Sequence, residues 1–173
     1  MDGEAMGELR LTSSRRRSAS RIRILPWSDA DRAQLLGLFH RMHGESRYAF
    51  LPFETARVES ELDSYMRDTE RRCALAAVAG ETVIGILAGY VTEYAFCSQL
   101  VASDQIVYVT PRSRGSLAAV RLIEAFRRWA RERGARELVL GITTGVDARR
   151  TGELFERLGF EFAGGNFVQR LNG

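Results

Sequence analysis

The spacing of apolar positions changes several times along the chain, and each change marks an element. Residues 21–25 alternate arginine with Ile22 and Ile24, which predicts a first strand. Ser28 or Asp29 can cap a helix. Leu35, Leu38, Phe39 and Met42 then recur at helical spacing to about residue 42, and His43-Gly44-Glu45-Ser46 ends the run. Residues 48–53 are an aromatic connector, read as core packing with a substrate wall as the alternative. Helical spacing returns over 54–66, with Val58, Leu62, Tyr65 and Met66 on one face. Residues 72–79 and 82–91 are predicted strands joined by the two-residue turn Gly80-Glu81. Gly85 and Gly89 suggest bends or bulges in the second of them. Residues 92–103, with Glu93, Tyr94 and Phe96, show no period and read as an irregular connection.

The apolar run Ile106-Val107-Tyr108-Val109 makes 104–109 a buried central strand. Thr110-Pro111 stops it, because proline cannot donate to a sheet ladder. A long helix over 116–133 carries a stripe of Ala119, Leu122, Ile123, Phe126, Trp129 and Ala130, with Gly134 at its end. A strand over 137–143, a loop over 145–147 and a short helix over 149–158 ending at Gly159 follow. Strands over 160–162 and 166–171, around Gly164-Gly165, complete the order β-α-α-β-β-β-α-β-α-β-β.

Composition narrows this picture in a few places. The length of 173 residues suits one domain with a sizeable core. Residues 1–20 are polar, Ser- and Arg-rich and without period, so a disordered basic tail is expected there and a single domain over 21–173. No apolar run nears the roughly 18 residues of a membrane span, and no apolar leader opens the chain. Cys73 and Cys97 sit in apolar, strand-like surroundings and read as free thiols of a cytoplasmic protein. His40 and His43 have no cysteine nearby, so no metal site is expected.

Net charge is +3, and all 25 basic residues are arginine. Between 112 and 136, eight arginines face two acids, Glu124 and Glu132. A solvated helix face is one reading; attraction for a polyanion such as coenzyme A or nucleic acid is the other. The interleaved aromatics of RNA-binding modules are absent, which favours the cofactor.

The stretch from Gln105 to Ala119 carries the chemistry. Strand, Arg112-Ser113-Arg114-Gly115-Ser116 and helix N-terminus follow one another directly. Backbone N–H groups without intrahelical partners and the positive end of the helix dipole make such a loop an anion site. Gly115 allows close backbone approach. The loop is neither a P-loop nor a dinucleotide fingerprint. Val109-Thr110-Pro111 followed by Arg112-Ser113-Arg114-Gly115-Ser116-Leu117 resembles the pyrophosphate loop of the GNAT superfamily of acyl-CoA-dependent N-acyltransferases, with Leu117 where a second small residue is usual. Leu154-Phe155-Glu156-Arg157-Leu158-Gly159-Phe160 is similar to that family's Leu-Tyr-x-x-x-Gly-Phe segment. The element order is also the family's, over about 21–171.

The resemblance implies an α/β (α+β) GNAT fold, a mixed, mostly antiparallel twisted sheet of about seven strands flanked by about four helices. It implies an N-acetyltransferase moving an acetyl group from acetyl-CoA to a primary amine by direct attack. The fourth and fifth strands would splay, with backbone around Val107, Tyr108 and Val109 holding pantetheine. The amides of Arg112, Ser113, Arg114, Gly115, Ser116, Leu117 and Ala118 would hold pyrophosphate, and Phe155 would seat the cofactor.

Where many members carry a catalytic Glu this chain has Gln105, and where many carry a catalytic Tyr it has Phe155. Asp104, re-aimed by a bulge, and Glu93 are the candidate bases. Tyr108 or Tyr94 is the candidate acid. Tyr108 as ordinary core and Asp104 as an exposed strand-end charge stand beside those roles. The expected partners are acyl-CoA and an amine acceptor, a small molecule or a protein, with a homodimer left open and neither membrane nor nucleic acid favoured. Two alternatives remain: a non-catalytic acyl-CoA-binding module, and a toxin-like acetyltransferase acting on aminoacyl-tRNA.

Overall fold

A computed structural model describes residues 21–171, so the tail read over residues 1–20 lies outside the described residues. Strands β1 (Arg23–Pro26), β2 (Arg72–Ala79), β3 (Thr82–Tyr94), β4 (Cys97–Val109) and β5 (Ala135–Val139) form one sheet in sequence order. All neighbours are antiparallel except β4 and β5, which are parallel. A parallel pair needs a crossover, and helix α3 (Ala118–Glu132) supplies it. Helices α1 (Arg32–Glu45) and α2 (Thr55–Arg67) precede β2, and α4 (Ala148–Arg157) follows β5.

The two sheet faces bury separate apolar clusters. One unites Trp27, Leu35, Leu38, Phe39, Leu62 and Tyr65 with Ala76, Val78, Ile86, Ala88 and Tyr108 of the sheet. The other sets Leu122, Ile123, Phe126 and Ala130 of α3, and Phe155 of α4, against Cys73, Ala77, Leu87, Val91 and Ala102. Each fully buried large side chain here contributes about 1.5–3 kcal/mol. The predicted stripe of α3 is thus the buried one, with Ala118 more deeply placed than Ala119. Gly134 ends the helix at φ +75°, its N–H donating to the Arg131 carbonyl at 3.0 Å.

Two expectations are corrected. The sheet has five strands among the described residues, not about seven. Residues 160–171 form no strand. Phe162, Phe167, Val168 and Leu171 of that stretch are exposed, and alternation without a partner edge makes no ladder. The segment 92–103 is not irregular but the far half of a long β3–β4 hairpin. Thr92, Glu93, Ser98 and Gln99 are exposed toward its tip, where backbone pairing holds the strands without an apolar period, and Ala102 is buried nearer the core. No helix among the described residues is long and apolar enough to cross a membrane.

Candidate active site

The β4–β5 ladder covers only part of β4. Leu100 pairs with Ala135 and Ser103 with Val139, and there the pairing stops. From Asp104 to Val109 the β5-facing edge of β4 is uncovered, a length of roughly 17 Å at about 3.4 Å per residue. The chain leaving β5 runs along the other side of the gap. Asp104–Val109, the loop after β4, Gly141–Thr144 and the inner face of α4 line a cleft of about 540 Å³.

Asp104 sits at the apex of this wedge, where its Oδ1 accepts the Gly141 N–H at 2.7 Å. A β-bulge puts it there. Gly89 pairs with Asp104 and Ala88 with Ile106, so Gln105 is an extra residue. Ala102 faces the α3 cluster, whereas Ile106 and Tyr108 face the α1–α2 cluster; the even-numbered positions change face across the bulge. Asp104 therefore stays in the gap, and the Gln105 side chain turns toward α2, accepting the Tyr65 hydroxyl proton at 2.6 Å. Burial pushes the Asp104 carboxyl up to about 6, and the bond from Gly141 only partly offsets this.

At the open end of the wedge lies the loop. Pro111–Ser113 makes one tight helical turn, and Gly115 adopts φ +82°, a conformation open to glycine at little cost. A Cβ on Gly115 would meet nothing within 4 Å. Ser113 and Arg114 N–H groups return to Thr110, Ser116 N–H to Ser113, and Ala118 N–H to Ser116 Oγ at 3.2 Å. The amides of Gly115, Leu117, Ala119 and Val120 take no hydrogen bond among the described residues. Together with the N-terminus of α3 they form a cradle of donors suited to phosphate oxygens. Leu117 turns its side chain outward, 57% exposed, rather than into the core.

Arg114 does not reach toward that cradle. Its Nε donates to the Val109 carbonyl at 3.1 Å, and its terminal nitrogen pairs with Glu45, the last residue of α1. The same carboxylate accepts the Tyr108 hydroxyl at 2.7 Å. Partial burial pushes the Glu45 carboxyl up, but the bonds from Tyr108 and Arg114 outweigh it and hold it below its ordinary value. Burial first, and then the bond to Glu45, raise the Tyr108 phenol above its usual range.

The family model described as Acetyltransferase (GNAT) family matches residues 25–160. The chain belongs to that family. No curated protein matches its sequence. Among solved structures, the GNAT domain is similar to AAC(6')-Iy bound to the bisubstrate analogue CoA-S-monomethyl-acetylneamine, with TM-score 0.71 and 18% identity over 89% of this chain and 100% of that one. A ribosomal-protein-alanine N-acetyltransferase from Brucella melitensis biovar Abortus matches with TM-score 0.65 and 18% identity, covering 87% of this chain and 99% of its own. A glucosamine-6-phosphate N-acetyltransferase from Arabidopsis thaliana matches with TM-score 0.69 and 8% identity, covering 88% and 99%. At these identities the likeness is one of fold.

The GNAT domain gathers most of the residues singled out from sequence. Asp104, Val107, Tyr108, Val109, Ser113, Arg114, Gly115, Ser116, Leu117 and Phe155 all line the cleft. Phe155 is buried and packs on Phe160 with ring centroids 5.8 Å apart. Ala118 is buried just behind the loop, and Arg112 is exposed outside the lining. Glu93 is not brought in: it pairs with Leu100 on the far hairpin and is exposed. Tyr94 is at the same end, donating to Glu137, a bond that raises its phenol to about 12. Cys73 and Cys97 are both free thiols; burial pushes Cys73 up to about 12, so it is no nucleophile at neutral pH.

Sequence reasoning missed Glu45, Gly141, Arg150 and Arg157. The last two project from α4 into the lining, Arg150 paired with Asp147 at 3.5 Å. Arginines near the end of a short amphipathic helix were the available signal, but they read equally well as solvent-facing.

Proposed function

We propose that this protein is an N-acetyltransferase that moves the acetyl group of acetyl-CoA to a primary amine by direct attack. The observation that carries the reading is the uncovered edge of β4, with a donor cradle at one end and the carboxylate of Asp104 at the other. Pantetheine would lie extended along Asp104–Val109, adding a strand-like ladder where β5 has left. Pyrophosphate would take the amides of Gly115, Leu117, Ala119 and Val120, with Arg157 contributing charge from α4. That placement would bring the thioester beside the bulge.

The acceptor amine has a pKa near 10 in the free state and must lose a proton before or during attack. Asp104, with its carboxyl near 6, is a base across neutral pH and can take that proton through a bridging water. The amine nitrogen bonds to the acetyl carbon, the C–S bond breaks, and the CoA thiolate takes a proton from solvent. Neither Phe155 nor Gln105 offers a proton-transfer group, and Tyr108 commits its hydroxyl to Glu45.

The test is thiol release from acetyl-CoA across a panel of amines, small molecules and peptide N-termini included. Amine-dependent release with wild type, lost in Asp104→Asn, is the expected result. Acetyl-CoA binding without release on any amine would instead mark a non-catalytic acyl-CoA-binding module.

A further inference from the structure

Glu45 and Arg47, two residues apart, hold opposite lips of the cleft. Glu45 receives Tyr108 Oη and the Arg114 guanidinium, which fixes the β4 end and the loop beyond it. Arg47 donates through Nε to the Thr143 carbonyl at 2.6 Å and through its backbone N–H to the Thr144 carbonyl at 2.9 Å, both on the lip that follows β5. Between them Ser46 is buried; its Oγ donates to the His43 carbonyl at 2.9 Å and accepts the Tyr48 N–H at 3.1 Å. The Arg47 guanidinium also donates to Tyr48 Oη at 2.8 Å and lies 4.3 Å from that ring's centre. The chain from Glu45 to Tyr48 is therefore a short, internally tied bridge. Neither Glu45 nor Arg47 lines the cleft itself.

In an ordinary sheet the ladder fixes strand spacing at about 4.8 Å. Here the ladder ends at Ser103 and Val139. Beyond it two polar ties run directly between the lips, Asp104 to Gly141 at the apex and residues 45–48 across the mouth, while α4 on the β5 side is held from behind by Phe155 and by the Arg127 bond to the Leu158 carbonyl at 2.8 Å. A tie across the mouth restrains the width of the wedge where the ladder and the apex bond do not reach.

We propose that residues 45–48 are a strap that sets the width of the cleft, with Glu45 and Arg47 as positioning residues for the cofactor. The claim about affinity rests on the cleft being the acetyl-CoA site; the claim about width does not. A strap assigns Arg114 a holding role, because its charge is already matched by Glu45. It also makes the two lips report on one another: loosening either anchor loosens both sides of the gap.

Hydrogen exchange followed by mass spectrometry, together with calorimetric titration of acetyl-CoA, tests this on the full chain. Glu45→Ala is expected to speed exchange over 141–147, a lip it does not touch, as well as over 108–116. Arg47→Ala, which leaves the backbone bond to Thr144 in place, is expected to speed exchange over 110–117 to a smaller degree. Glu45→Ala should weaken acetyl-CoA about tenfold, the scale of one charge-assisted bond. The double variant should be little weaker than Glu45→Ala alone, because a strap cut at one end is already free. Glu45→Gln, which keeps an acceptor oxygen, should recover part of the loss. Exchange changes confined to the lip that each residue touches, or affinity losses that simply add, would overturn the strap. If wild type binds no acetyl-CoA, the reading of the cleft fails, and the exchange experiment still decides the strap.

Discussion

At the residue scale Asp104 is the carboxylate on which the proposed reaction depends. It is half-buried, it faces the gap, and burial lifts its carboxyl to about 6. If it takes the amine proton, turnover rises with pH through about 6 as the carboxylate forms. Asp104→Asn should lower turnover about 10²–10⁴-fold and remove that acid limb. Its amide oxygen can still accept the Gly141 N–H, so acetyl-CoA affinity should hold; a pH–rate series on both proteins checks this.

The same shift has a sign for stability. A folded pKa above the unfolded value of 3.8 favours the protonated form in the fold. The benefit is full below about 4 and is lost as pH rises through about 6. Asp104→Asn should therefore melt no lower than wild type at pH 8, and a lower melting temperature there would contradict the assigned burial cost. Glu93→Gln, on the exposed hairpin, should leave turnover unchanged.

At the scale of elements, β4 and its bulge organise the site, and two substitutions probe how tightly the sheet is built around them. A Cβ on Gly89, the partner of Asp104, would come within 2.4 Å of Phe126 Cζ and 2.7 Å of the Ser103 carbonyl oxygen. Because one of those neighbours is backbone, Gly89→Ala should cost about 1–3 kcal/mol, read as a lower denaturation midpoint. Phe155→Ala removes a buried ring from α4 and should cost about 3–5 kcal/mol. Phe155→Tyr, by contrast, places a hydroxyl at the cleft wall without emptying it.

The helices were legible because Leu35, Leu38 and Phe39, or Leu122, Ile123 and Phe126, recur at helical period over a buried face. The tight loop after β4 was legible because proline, glycine and the following helix leave a local signature. The bulge was legible from Gly89, where the register does shift, but nothing marks Gln105, the last of three polar residues before Ile106, as the extra residue. The hairpin over 92–103 was hidden because most of its side chains, Glu93, Ser98 and Gln99 among them, face water, with Ala102 the buried exception. Glu45 was hidden for a different reason, since its partners Tyr108 and Arg114 lie 63 and 69 residues away and only the tertiary fold brings them together.

At the scale of the molecule, one sheet is antiparallel over most of its width and splits where β4 and β5 part. Its antiparallel body is packed on both faces. Where β4 and β5 part, β5 no longer covers the backbone edge of β4. The central claim is that this gap, with the loop around Gly115 at its end, is the acetyl-CoA site. Its most direct test is calorimetric titration of acetyl-CoA into wild type and Gly115→Glu, with circular dichroism confirming that the variant folds. A Cβ at position 115 meets no neighbour, so the substitution adds bulk and negative charge to the cradle at a backbone cost of only about 1–2 kcal/mol. Wild type should bind acetyl-CoA saturably and one-to-one, and the variant not at all; equal affinity in the two folded proteins would contradict the assignment of the gap.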